Sequence, residues 1–483
     1  MSNRLLLAAA CAATSLGCGG GDGGSGPTPP SPPSPPVSIT LFAPSSVAVG
    51  GTLTATATLN RPATITWSSE TPALATVDAN GRITGQAPGD ATIKVTSGQT
   101  SQTATVTVFP PFVDLTLGAI QACGRSAANA LYCWGANGAL QLGQIGATEV
   151  CFNNTPCTTT PRKGIATPVF AQVTLGYGMS CGLTAAGEVY CWGSNEFGQL
   201  GAGRGATVAD PVPLPGGVRL TQLGVGRLFG CGLNAAGAAY CWGVAFPSYG
   251  NLGAPTVDVC GTFPCNLAPT PVAGGLTFAS LSVGQLHACG LTATGEAYCW
   301  GSNGAGQIGN GLITAVDGGA SSPQPVAGGL RFASISAGEI HTCGLTLAGQ
   351  AFCWGDNSTG QIGTGNANPH LVPAQVVDNR VFVSIRTGGS HTCALTNAGA
   401  AFCWGFNDHG QVGDGTEITR SRPTAVARNL TFVQLEVRRQ FACGRTAAGQ
   451  TYCWGQNLYG QLGVGEGRSE VEFLVPTGVG GVP

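Results

Sequence analysis

Cysteine is the side chain with most chemical scope in this sequence, at 20 of 483 residues. Seven pairs share one spacing, with nine residues between the partners: Cys123 and Cys133, Cys181 and Cys191, Cys231 and Cys241, Cys289 and Cys299, Cys343 and Cys353, Cys393 and Cys403, Cys443 and Cys453. Thiols could ligate zinc, attack a substrate, or be oxidised to disulfides. Zinc is the weaker reading, because the spacing exceeds the usual two to four residues and seven separate pairs would each lack two further ligands. Cys151 with Cys157 and Cys260 with Cys265 lie among Pro and small residues and most simply close local loops. Setting aside Cys11 and Cys18 near the N-terminus, all the others are then used in bridges and no thiol is left for catalysis. Such bridges belong in an oxidising compartment.

The remaining chemistry-bearing residues form no nucleophile, base or metal set. His287, His341 and His391 stand two residues before the first Cys of their pairs, where other pairs have Gln121, Met179, Phe229 and Phe441. A place that accepts Phe or Met is a packing position. His370 and His409 are isolated and read as solvated loop residues, and no acidic pair repeats. No catalytic residue, cofactor site or metal site is therefore expected.

Composition narrows the partners. Only 9% of residues are charged and the net charge is −2, too little positive charge to drive binding to a phosphate backbone. Nucleic acid is excluded as an expected partner. With 78 Gly against 2 Met, the chain reads as short strands and turns with no long helices.

The elements that position the cysteines begin after residue 36. Residues 1–17 read as a signal peptide, with Arg4 before an apolar run from Leu5 to Ala13 that is too short to span a bilayer. Its end, Ser15-Leu16-Gly17-Cys18, resembles the lipobox of bacterial lipoproteins, which implies acylation of Cys18; Ser15 stands where that family usually has Leu. Residues 18–36, rich in Gly and then Pro, cannot bury a core and read as a tether. Residues 37–109 carry no Cys and alternate Thr with apolar residues, as in Thr103-Ala104-Thr105-Val106-Thr107-Val108, with Gly50-Gly51 and Asn80-Gly81 as turns. The stretch from Ile65 to Val95 resembles the bacterial immunoglobulin-like group 2 domain, which implies a small sandwich serving as a surface spacer or adhesion module. Trp67 is read there as a core residue.

From residue 112 to 483 the sequence repeats itself seven times. The first cysteines recur at 50 to 58 residues, each second Cys is followed by Trp-Gly, and G-Q-[LI]-G or a variant comes next. Unit one has Leu140 at the first Gly of that motif, and unit three continues C-W-G with Val244-Ala245, without the Asn that the others have in C-W-G-x-N. These motifs, with C-G-L-T, resemble the repeat of the regulator of chromosome condensation family, which implies a seven-bladed β-propeller. The fold class is thus all-β, a small immunoglobulin-like sandwich followed by a propeller.

Turn chemistry places the cysteines within each unit. If Cys343 faces Cys353 across a hairpin, the loop is Leu347-Ala348-Gly349, and its third residue must be left-handed. The seven residues at that place are Asn129, Gly187, Gly237, Gly295, Gly349, Gly399 and Gly449, all types that tolerate this conformation. Counting outward, the two cysteines meet on a non-hydrogen-bonded pair, about 4.5 Å apart at Cα and within disulfide range. The C-terminal stretch Phe473 to Val479 is expected to supply the strand that blade one lacks, closing the ring.

These readings point to an exported, lipid-anchored or secreted, monomeric and non-enzymatic protein of the cell envelope. Its loops after G-Q-x-G, such as Gln144 to Thr167, Ala254 to Pro269 and Asn310 to Ser322, would share one rim and bind an extracellular protein or glycan. The membrane would be met only through a lipid anchor. Guanine nucleotide exchange, the activity for which the family is known, needs a small GTPase that an exported chain would not meet. A secreted inhibitor or regulator of an enzyme is the alternative; a polysaccharide-active enzyme would need a carboxylate pair that is not visible.

Overall fold

The computed structural model describes residues 36–146, 149–246, 248–314, 318–465 and 472–483. Cys11, Cys18, the leader and all of the tether but Pro36 lie outside the described residues. The regular structure is almost wholly strand, with four single-turn 3₁₀ segments among the described residues.

Strands between Ile39 and Phe109 form the sandwich. Ser46–Ala48, Thr100–Phe109, Gly89–Ser97 and Thr66–Ser69 make one sheet, and Thr52–Thr54, Arg82–Gly85 and Ala75–Val77 make another. Alternation puts Ile83, Ala91, Ile93, Val106 and Val108 between them. Trp67 lies at the margin of this core, half-buried, and Gly81 passes under its indole, where an added Cβ would come within 3.0 Å.

Seven antiparallel sheets follow, the first starting at Phe112–Leu117. Blade five shows the pattern. Phe332–Ala337 is innermost, then His341–Thr346, Ala351–Gly355 and, outermost, His370–Gln375. Cys343 pairs with Cys353 in the register, and Thr346 N donates to Gln350 O across the hairpin at 3.0 Å. All seven Trp residues that follow the second cysteines are fully buried, several stacked on a Phe at or just before their innermost strand, as Phe112 on Trp134 at 5.9 Å and Phe170 on Trp192 at 5.5 Å.

The seams between blades repeat as regularly as the blades. At six of the seven hairpins the carbonyl of the third residue accepts from a backbone N–H at or just before the next innermost strand, as Gly349 O from Phe382 N at 2.9 Å and Gly399 O from Phe432 N at 2.8 Å. The same bond joins Phe112 N of blade one to Gly449 O of blade seven, 3.0 Å.

Closure corrects one expectation. Phe473–Gly478 does not join blade one; it pairs with Thr451–Gly455 as the outermost strand of blade seven, Tyr452 opposite Gly478. Every Pro-containing strand likewise returns to its own Trp-bearing strand, as Val208–Pro213 does in blade two. The outer edge is where the missing N–H of Pro costs no ladder bond. The residues beyond Gly478 then run between the two domains: Val479 and Val482 pack with Ala48, Phe109, Phe112 and Tyr132 in one buried cluster.

Candidate binding surface

Strand direction puts two sets of segments on one face of the propeller: the turns after the innermost strands and the loops after the Trp-bearing strands. The outer loops are built on G-Q-x-G. In blade five, Asn357 Oδ1 accepts from Ile362 N at 2.9 Å while its Nδ2 donates to Asn368 O at 2.8 Å, so one amide holds the turn and the loop beyond it. Asn407 repeats this with Val412 N and Thr416 O. Gln361 Oε1 accepts from Thr359 N, 3.0 Å. Gln backbone carbonyls face the next blade, where Trp354 Nε1 donates to Gln307 O at 3.0 Å.

Blade three keeps this mechanism with other residues. Ala245 stands where the other blades have that Asn and has no amide, and Asn251 serves the turn instead, its Nδ2 donating to Val244 O at 2.8 Å and its Oδ1 accepting from Phe246 N at 2.9 Å. Sequence reasoning missed this, although Gly250-Asn251-Leu252-Gly253 sits where other blades read G-Q-x-G. In blade one, Leu140 takes φ 55°, a conformation that normally asks for Gly.

Two loops become rigid arms. Glu149–Cys151 pairs with Thr155–Lys163, and Asp258–Cys260 with Phe263–Pro271, giving blades one and three a fifth strand. Disulfides join Cys151 to Cys157 and Cys260 to Cys265, with Cα atoms 5.9 and 5.8 Å apart. An acid anchors each arm: Thr159 N donates to Glu149 Oε2 and Leu267 N to Asp258 Oδ2, both at 2.9 Å. Each arm leans on the preceding blade, Phe152 edge-on to Tyr459 at 6.1 Å and Phe263 edge-on to Phe197 at 6.0 Å. Val150, Val257 and Val259 stand 68%, 75% and 76% exposed at their outer edges, and Leu312, Ile313 and Ile418 are exposed on the loops of blades four and six.

The inner turns supply the centre of this face. Ala119, Tyr177, Arg227, Gln285, Glu339, Gly389 and Arg439 are equivalent residues around it. Arg227 and Arg439 flank the Tyr177 ring, 5.8 and 5.4 Å from its centroid. Burial raises the pKa of Glu339, opposed by Arg439, Arg438, a hydrogen bond from Tyr177, and Arg227; burial and then Glu339 raise that of Tyr177.

The remaining sequence-selected residues are structural. The seven hairpin pairs are disulfides, Cys123–Cys133, Cys181–Cys191, Cys231–Cys241, Cys289–Cys299, Cys393–Cys403 and Cys443–Cys453 with Cα atoms 4.1 Å apart and Cys343–Cys353 with 4.0 Å. Among the described residues no group of three or more His, Cys, Asp or Glu could share a metal ion. His287, His341 and His391 are fully buried, and burial drives each pKa down to about 3. His287 Nε2 bonds Thr342 Oγ1 and His341 Nε2 bonds Thr392 Oγ1, both at 2.8 Å. Each Thr hydroxyl donates onward to a Gln carbonyl, so the His is the donor to it. His370 and His409 are less solvated than expected. His370 begins an outer strand, 3.4 Å from Thr364 Oγ1, and His409 meets Glu472.

Fold and surface define a seven-bladed, disulfide-stitched propeller that carries an immunoglobulin-like domain on its seam. A family model described as the RCC1-like domain matches residues 84–445, and the chain belongs to that family. Residues 37–108 match the bacterial Ig-like domain (group 2). The RCC1-like match begins inside the sandwich, whereas the first blade strand begins at Phe112.

Among curated relatives, the human E3 ubiquitin-protein ligase HERC2 is 27% identical over 218 residues, 44% of this chain and 4% of that protein. The ultraviolet-B receptor UVR8 of Arabidopsis thaliana is 26% identical over 250 residues, 51% of this chain and 53% of that protein. The matches thus span no more than about half of either relative. Prp20p of Saccharomyces cerevisiae, described with its binding to Gsp1p and histones, superposes with a TM-score of 0.59 at 22% identity, covering 68% of this chain and 81% of that one. Human WBSCR16 gives 0.63 at 21%, covering 72% and 94%. These structures share the fold.

Proposed function

We propose that this chain is an exported, non-enzymatic binding protein, anchored through acylated Cys18, whose arm-bearing face docks another protein. The observation that carries the reading is the repeated display of aliphatic tips, Val150, Val257, Val259, Leu312, Ile313 and Ile418, on equivalent loops, two of them braced by disulfides. Ordering such loops beforehand lowers the entropy lost on association. Glycan sites favour aromatic platforms, and these tips are aliphatic, so a protein fits better than a sugar chain. Nine disulfides support an oxidising compartment. If the partner is an enzyme, the same surface makes the chain its inhibitor or regulator.

Retention on immobilised residues 36–483 of material from the source cells and their medium, identified by mass spectrometry, gives the partner. The reading expects a protein whose retention is lost when the tips are changed to Asp. Retention unaffected by those changes would move the site to the opposite face, where Leu347, Val381, Val383 and Val433 are exposed. Full-length protein should partition into detergent and carry a labelled fatty acid, both abolished by Cys18→Ala; wild type free in the medium with an unmodified N-terminus refutes the anchor.

A further inference from the structure

The central channel carries an irregularity that the propeller does not need. At the end of the innermost strand six blades have glycine: Gly118, Gly176, Gly226, Gly284, Gly338 and Gly388. Close approach of the blades explains several of these, since an added Cβ would fall 2.3 Å from Gly338 O at Gly284 and 2.7 Å from Gly388 O at Gly338. Blade seven has Arg438 instead. Its side chain borders both the turn ring that closes one end of the channel and a polar cavity of about 410 Å³ that fills the rest.

Arg438 is charged, half-buried and short of side-chain partners. Burial pulls its pKa down, while Glu436 and Glu339 pull it up and Arg386 opposes them. Yet no carboxylate is paired with it directly. Glu436 pairs with Arg386 at 3.3 Å, Asp114 lies 3.8 Å from Arg125, and Glu339, in the turn ring, interacts with Arg439 ahead of Arg438 and makes no ion pair within 4.0 Å among the described residues. Among the described residues, the Arg438 side chain has no hydrogen bond and no ion pair within 4.0 Å, while its backbone pairs with Phe441. A guanidinium offers five N–H groups in a fork that matches a carboxylate, and those of Arg438 open onto the cavity, where a ligand could replace solvent.

The walls beside it suit hydroxyl groups. Thr116 and Thr174, on the two blades that follow blade seven around the ring, line the cavity, and among the described residues neither hydroxyl has a hydrogen-bond partner. Ser282 and Ser336 line it farther round. The volume lies within the range of small-molecule sites and suits a molecule of monosaccharide size. A dianion would be repelled by Glu436 and Glu339, so one negative charge fits best.

We infer that the channel binds a small hydroxylated monocarboxylate of the sugar-acid class, its carboxylate on Arg438 and its hydroxyls on Thr116 and Thr174. This site is separate from the proposed docking face, since the cavity lies along the innermost strands beyond the turn ring.

Calorimetric titration of the full chain with glucuronate, glucose and inorganic phosphate tests the inference. Saturable binding of glucuronate is expected, at least tenfold tighter than glucose or phosphate. Arg438→Gly, which restores what the other six blades have, should abolish it with melting unchanged. Should that variant fail to fold, Arg438→Gln and Thr174→Val report the same contacts and should each weaken binding at least fivefold. Absence of glucuronate binding, equal binding of glucose, preference for phosphate, or affinity indifferent to the Arg438 and Thr174 variants overturns it.

Discussion

The indole Nε1 of Trp134 in blade one donates to the backbone carbonyl of Gln461 in blade seven at 2.9 Å, across 327 residues of sequence. Trp192 makes the same bond to Gln141 O, Trp354 to Gln307 O and Trp454 to Gln411 O, so the closing seam is built like three of the six between consecutive blades, while the indoles of Trp242, Trp300 and Trp404 lack it. The ring closes on a repeated side-chain-to-backbone stitch, without exchanging a strand. Trp134→Phe removes the donor and leaves a buried carbonyl unmet, which should cost about 1–3 kcal/mol in denaturant unfolding. A change within error would show that the seam is held by packing alone.

Deleting residues 472–483 should expose the edge of Thr451–Gly455 and empty the cluster that Val479 and Val482 share with Phe109 and Phe112. Aggregation on purification is the expected outcome. A soluble truncation with unaltered melting would mean that neither the strand nor the tail contributes.

Acid should destabilise the propeller. His287, His341 and His391 titrate near 3 when folded and near 6.5 when unfolded, so between those limits the unfolded chain binds more protons and stability falls as pH drops. Each contributes a slope of about 1.4 kcal/mol per pH unit inside that window, well below pH 6.5. Glu339, whose folded pKa is raised, acts in the opposite sense. His391→Phe should remove about a third of the His slope, because Phe229 and Phe441 fill the same place in other blades; urea midpoints from pH 7 to 4 would measure it. An unchanged slope would contradict the buried neutral state.

Gly349 has φ +73°, and a Cβ there would lie 2.7 Å from Phe382 O of the next blade. Gly349→Ala should therefore cost more than the ~1 kcal/mol of left-handed strain alone, while Asn129→Gly, at φ 60°, should be neutral or stabilising. Equal effects of the two changes on melting would argue against the close approach.

Replacing Cys343 and Cys353 together by Ala should lower stability by less than the ~3 kcal/mol associated with a loop of about 15 residues, and the ring should stay folded. Non-reducing peptide maps of the wild type should link each first Cys to its partner ten residues on, with no free thiol between residues 112 and 483. A bridge between different blades would contradict the hairpin register.

The fold class and blade register were legible because each rests on a local rule. A left-handed residue at Gly349 fixes the hairpin, and a place shared by His391 and Phe441 must be buried. The allegiance of the Pro-containing strands was not legible. Val208–Pro213 lies in sequence between the Trp-bearing strand of blade two and the innermost strand of blade three, and only the path of the intervening loop decides which it joins. For the same reason the arms were read as loops: Thr155–Lys163 is largely an outer strand, so trimming residues 147 to 163 would remove part of blade one along with the arm. Arg438 was missed: it departs from the Gly of the other six blades in the sequence itself, but its lack of a direct carboxylate partner exists only in three dimensions.

The central claim, that the arm-bearing face binds a protein, is tested most directly by the affinity of the retained partner for a variant with Val150, Val257, Val259 and Ile418 changed to Asp. All four are well exposed, so melting should stay within about 2 °C of wild type. The account predicts at least a tenfold rise in Kd; an unchanged Kd in the folded variant would contradict it.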